Sequence, residues 1–452
     1  PGVRESVENI IMEGRFWSAW KFEPNWLGGR EVPPRYEGGE RKSVTRGTGR
    51  CLGGQGQADA PETVLYGQAF AWSDQHQTAE ELSPMRLEGD PDADEVARLL
   101  LESGHAGDVL NFGASDQDGS LHPAMARLLR KYSEVPNWLD PEKLAEGQEL
   151  MVRFFPVALY WMYYCSLVGG FSFPNITKVL LSTGYLCGSP DSVKQRLMDT
   201  FRMVMIVLVP GAMKPREEGW KSVMRVRMLH AKVRCVLQKR PYWKESEWGV
   251  PINQEDLAAV LLAFSLQTLR GVELIACRRL SERQREAYLH LWRYVGFVIG
   301  VKEEYNTCSS YSRSELYLQS FAAHQLAPTQ DSVAVAGSLL GFMGPGMKSF
   351  RCQMLRRIVG DEMADALEVE KGSLVLRQTT TARLWTMRAY TWVSMLPVAS
   401  TIVTWWHRFW IRRLLQHIPD SMHPLQKGPG EKSFVGVQSQ ETAQTGSKDK
   451  SS

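Results

Sequence analysis

The stretch EGWKSVMRVRMLHAKVRCVLQ (218–238) repeats its apolar side chains at i, i+3, i+4 and i+7. That is the period of an α-helix with one face turned to a core. The same spacing recurs outward from it in both directions. It is found in DADEVARLLLES (92–103), HPAMARLLRKYSE (122–134), DPEKLAEGQELMVRFFPVALYWMYYCSLVGG (140–170) and SVKQRLMDTFRMVMIVLV (192–209). It returns in NQEDLAAVLLAFSLQTLRGVEL (253–274) and SERQREAYLHLWRYVGFVIGV (281–301). Helix starts are marked by Asp140 before Pro141, by Asn253 with Asp256, and by Ser281. No run of alternating strands competes and no repeat of 20–50 residues is visible, so the fold class is all-α.

The periodic signal bounds one helical domain over 91–420. Residues 1–90 are rich in Gly and Pro and read as an extended, irregular N-terminal arm, with GTGRCLGGQGQ (47–57) a loop. Tryptophans 17, 20, 26 and 72 would pack parts of that arm on the body. Residues 421–452 are polar and read as a disordered C-terminal tail.

Composition narrows the function classes. A net charge of +3 from 53 basic and 50 acidic residues gives no electrostatic case for nucleic acid. Seven scattered cysteines without a CxxC pair argue against structural zinc and favour an intracellular, reducing setting. Two uncharged stretches, 154–177 and 389–406, raise the question of a membrane. The first, interrupted by Pro156, Gly169-Gly170 and Pro174, reads as a buried helix and a turn. Residues 390–415 are rich in Trp and Arg and suit peripheral contact with a membrane surface. GxSxG, P-loop and HExxH signatures are absent, and GFMGPG (341–346) reads as a turn.

Two helical faces could carry chemistry. His230 shares its face with Val223, Val226, Arg227, Val233, Arg234 and Leu237. One reading is a core histidine bonded to a backbone carbonyl. The other is an axial ligand to haem iron, with the imidazole neutral in an apolar slot and Arg227 and Arg234 placed to pair with propionates. In QRLMDTFRM, Arg196, Asp199, Thr200 and Met203 also share a face. They form either a surface ion pair or a polar cluster pointing into a pocket. Asn253 and Asp256 read as helix capping, and His290, Trp292 and Arg293 as a buried, polar-paired group.

The order of patterns resembles a known family. VPNWLDPEKLAEGQ (135–148), TGYL (183–186), RLMDT (196–200), GWKSVMRVRMLHAKVR (219–234), WGVPINQEDLAAVLLAFS (248–265) and YLHLWRYVGFVIGV (288–301) follow one another as in the haem-dependent oxygenases that include MpaB and latex clearing protein. The likeness is best over 135–305. It implies a globin-like helical core with additional helices, a haem b, and cleavage of isoprenoid C=C bonds by O2. It puts the proximal iron ligand on His230 and a distal polar pair on Arg196 and Thr200. Asp199 stands where the rubber oxygenases carry a lysine, so no distal ligand is carried over. The expected partners are O2 and an apolar small-molecule or isoprenoid substrate, in a pocket lined from FFPVALYWMYYC (154–165). The alternatives are another haem activity (peroxygenase, hydroxylase or sensor) or a non-enzymatic, membrane-peripheral helical protein.

Overall fold

The structure is a computed structural model that describes residues 62–65, 68–105, 107–113, 121–183 and 190–418. The expected loop at 47–57, Trp17, Trp20, Trp26, most of TGYL and the tail from 421 lie outside the described residues.

A two-stranded antiparallel hairpin, β1 (Glu62–Leu65) and β2 (Gln68–Ala71), pairs Glu62 with Ala71 and Leu65 with Gln68. Helices follow in the order α1 (Ala79–Arg86), α2 (Pro91–Ser103), α3 (Pro123–Ser133), α4 (Pro141–Arg153), α5 (Phe155–Trp161) and α6 (Pro174–Thr183). Next come α7 (Pro190–Val207), α8 (Glu218–Leu237), α9 (Glu245–Trp248), α10 (Gln254–Phe264), α11 (Leu266–Ala276) and α12 (Glu282–Ile299). The chain continues through α13 (Tyr311–Gln325), α14 (Gln330–Gly341), α15 (Pro345–Val359), α16 (Asp361–Ala366), α17 (Leu374–Val393) and α18 (Pro397–His417). The body is all-α. The hairpin and α1 fall in the segment whose sequence suggested no regular element. α1 is held by a capping box in which Thr78 accepts from the Glu81 N–H.

Local chemistry explains where helices start and break. Asp140 accepts from the N–H groups of Glu142 and Lys143, 2.9 and 3.1 Å away, and so opens α4. Ser281 and Gln284 form the capping box of α12. The single helix suggested for 140–170 is divided at Phe154, before Pro156, and continues beyond α5 as a π-helical stretch at Met162–Val168. The helix suggested for 253–274 breaks at Ser265, whose φ and ψ of −98° and −85° are not helical. Pro397 similarly separates α18 from α17, so 389–406 is not one continuous helix.

One extended core joins α2 to α18. α4 and α12 pack closely enough that a Cβ on Gly147 would lie 2.2 Å from the Ala287 carbonyl oxygen. Gln254–Ala276 is long and apolar enough to span a bilayer, but 78% of its apolar window is buried inside the protein. It is a central core element, with α10 forming one wall of the cavity described next.

Candidate functional site

α8 borders a cavity of about 310 Å³ with Val226, Leu229, His230 and Val233. α7 contributes Arg196, Asp199, Thr200 and Met203, and α10 contributes Asp256, Leu257, Ala259, Val260 and Ala263. The rest of the lining, which includes Phe171, Ile176, Leu180, Phe264, Val295 and Ile299, is mainly apolar. Of the stretch FFPVALYWMYYC, Cys165 alone borders the cavity. Its other members pack into the core, and the wall comes from the segments that follow.

His230 reaches this cavity with no hydrogen bond to either ring nitrogen, and its Nδ1 is buried without a partner. Other described histidines are committed elsewhere. His290 Nε2 accepts from the Asp140 N–H at 2.9 Å, so His290 braces the start of α4. His407 lies between the Val152 carbonyl at 2.7 Å and the Tyr390 hydroxyl at 2.6 Å. His76 pairs with Ser73 and Gln319. Burial, reinforced by the positive charges of Arg234 and Arg196, pulls the His230 pKa down to about 3. Its imidazole is therefore neutral at physiological pH, the form that binds a metal.

RLMDT faces inward. Arg196, Asp199, Thr200 and Met203 line the cavity, as expected for a polar cluster aimed into a pocket and not for a surface ion pair. Asp199 accepts from the Gln195 amide at 3.0 Å. The Thr200 hydroxyl donates to the Arg196 carbonyl at 3.0 Å. It must release that bond before it can donate to a ligand.

Arg227 and Arg234 do not flank a haem slot, as the sequence suggested they would. Neither borders the cavity. At about 100° per residue they sit some 40–60° round the helix from His230, on the side facing away from the cavity wall. Arg227 grips Asp90 through two bonds of 2.7 and 2.8 Å, with both side chains buried, and its guanidinium lies 3.7 Å from the Tyr132 ring centroid. Arg234 donates to Asp94 at 2.8 Å and to the Ile252 carbonyl at 2.7 Å. These arginines fasten α8 to α2, so their charge is satisfied inside the fold and they are not partners for propionates.

The capping pair also separates. Asn253 alone caps α10, accepting from the Asp256 N–H at 2.9 Å. The Asp256 side chain turns to the cavity instead. Gln267 on α11 lines the cavity as well, a residue for which sequence periodicity gave no signal. Of the buried group on α12, Trp292 borders the cavity and stacks on Phe264 at 5.5 Å. Arg293 instead pairs with Glu303 and lies 4.0 Å over Trp138.

The residues fit a haem. A neutral, unbonded imidazole, an apolar wall and a cation at Arg196 are the features such a group needs. Among the described residues no cluster of three His, Cys, Asp or Glu side chains forms a metal site, and haem iron needs only one protein ligand.

Residues 177–396 match the family described as "ER-bound oxygenase mpaB/B'/Rubber oxygenase, catalytic domain". The chain is 24% identical over 379 residues to a rubber oxygenase of Streptomyces sp. (strain K30), covering 79% of this chain and 90% of that protein. Its fold is similar to latex clearing protein in the closed state, with a TM-score of 0.57 and 18% identity over 78% of this chain and 93% of that one.

Proposed function

We propose, from the match of residues 177–396 to the MpaB and rubber-oxygenase family, that the chain is a haem b-dependent oxygenase. The reaction proposed is oxidative cleavage of a C=C bond in an apolar, isoprenoid-like substrate by O2. The observation that carries this reading is His230, a neutral histidine without a hydrogen bond on the ring, facing a mainly apolar cavity.

When bound, haem b supplies the iron that activates O2. His230 would hold it. Arg196 places a guanidinium at the cavity wall, on the side from which a propionate or bound oxygen would be reached. Thr200 would orient oxygen once its bond to the Arg196 carbonyl opens. Asp199, tied to Gln195, lies beside them and is not assigned as a ligand. The apolar wall from α6, α8 and α10 holds the hydrocarbon chain and excludes water.

The test is O2 uptake with isoprenoid chains, coupled to mass spectrometry of the products. Uptake should be matched by two carbonyl fragments whose masses sum to substrate plus O2. Hydroxylated substrate without chain cleavage would instead favour a hydroxylase on this scaffold.

The exposed face of α18 supports a membrane-surface partner. Val398, Ile402, Trp405 and Phe409 are 76, 61, 64 and 50% exposed along one stripe. The opposite face of α18, with Thr404, His407, Ile411 and Leu414, is buried. Arg408, Arg412 and Arg413 flank the stripe, which suits an anionic lipid surface.

A further inference from the structure

Two polar side chains in the cavity have no role in holding the fold. Asp256 and Gln267 are each 6% exposed, and both border the cavity. Neither side chain has a hydrogen-bond partner among the described residues. An unpaired carboxyl or amide in an apolar enclosure costs on the order of 1–3 kcal/mol. Other polar groups of α10 are satisfied: Asn253 caps the helix, Gln254 bonds the Gly89 and Gly300 carbonyls, and Glu255 pairs with Arg86 at 2.8 Å. Asp256 and Gln267 are separated by the apolar residues Val260, Ala263 and Phe264 and by the break at Ser265. Beside His230 and the Arg196–Asp199–Thr200 face, the cavity therefore carries two further polar points joined by an apolar wall.

We propose that Asp256 and Gln267 are substrate-binding positions, and that the cavity takes an isoprenoid chain bearing a neutral oxygen function, a hydroxyl or a carbonyl, in preference to a bare hydrocarbon. The inference rests on the oxygenase reading above and names the substrate class of that site. The charged and titratable neighbours of Asp256 are Glu255, Arg86 and Tyr317. Arg86 is engaged by Glu255, and the Tyr317 hydroxyl donates to the Glu255 carbonyl at 3.0 Å. Burial, with Glu255 adding to it, pushes the Asp256 pKa up to about 8. At neutral pH the carboxyl is mostly protonated and presents an O–H donor, which a ligand oxygen accepts. Gln267 offers both a donor and an acceptor. An ionic ligand head is disfavoured, because no cation of the wall stands unengaged beside Asp256.

The experiment measures dissociation constants of the haem-loaded full chain by equilibrium dialysis. The probes are a C20 isoprenoid alcohol and the hydrocarbon in which hydrogen replaces the hydroxyl. The wild type binds the alcohol about tenfold more tightly. Asp256→Leu loses that preference without weakening hydrocarbon binding, and Asp256→Asn, a neutral donor of similar shape, keeps most of it. Equal affinity of wild type for both chains overturns the proposal and leaves the oxygenase reading in place. So does a preference that survives Asp256→Leu, or a loss of haem in Asp256→Asn, which would make Asp256 a cofactor residue. Binding of neither chain overturns both.

Discussion

At the scale of single residues, the site was legible where spacing alone fixes a face. His230 and the RLMDT face share the cavity because residues three and four apart on a helix point the same way. Asp256 was not legible. In the first turn of a helix Asp is favourable beside the positive end, and only the structure shows that its side chain turns to the cavity while Asn253 caps the helix. The buried carboxyl has a thermodynamic consequence. Unfolded, it releases its proton near the ordinary value of about 4. Folded, it keeps the proton until about pH 8. Between these values the folded state binds more protons than the unfolded one, so this group makes stability fall as pH rises, then level off. Asp256→Asn removes the effect. Urea unfolding from pH 4.5 to 8 should show the variant gaining on wild type by up to about 1.4 kcal/mol per pH unit. Parallel stability curves would contradict the buried, unpaired placement.

Among elements, seven sequence segments showed a helical period, and each contains helix. Their starts were marked by caps that form as read at Asp140, Asn253 and Ser281. Pro156 marked the interruption that falls at Phe154, but the break at Ser265 was missed because an apolar run stays periodic across a local kink. Partners across helices were also invisible. Arg227 and Asp90 are 137 residues apart in the chain, and Arg234 and Asp94 are 140 apart. With Arg225 bonded to Asp108 at 2.7 Å, α8 holds the 90–108 segment through three arginine–aspartate pairs. The positive φ of Gly300, +100°, brings the end of α12 against the Asp90–Arg227 pair, where a Cβ would lie 2.5 Å from Asp90 Oδ2. Arg227→Ala leaves Asp90 buried without its partner. Denaturant unfolding should show a loss of about 3–5 kcal/mol. The folded fraction should keep the wild-type haem spectrum, since Arg227 does not reach the cavity. A displaced Soret band in folded Arg227→Ala would restore the arginine to the cofactor site.

On the scale of the whole molecule, one helical body encloses a cavity near His230 and carries an aromatic stripe on α18. Trp405, Trp406, Phe409 and Trp410 lie with neighbouring ring centroids 5.7–6.4 Å apart, a contiguous apolar surface. In sedimentation with vesicles containing phosphatidylserine, Trp405→Asp with Phe409→Asp should reduce the bound fraction at least fivefold and leave O2 uptake on a dispersed substrate unchanged. Equal sedimentation would remove the membrane from the account. The proposed haem site stands or falls on His230. The most direct measurement is the absorption spectrum, oxidised and reduced, of wild type and His230→Ala purified from cells supplied with haem. Wild type should show a Soret band near stoichiometric haem, and the variant its loss or a marked shift at unchanged helical content. A wild type without a Soret band, or a variant with an identical one, would contradict it.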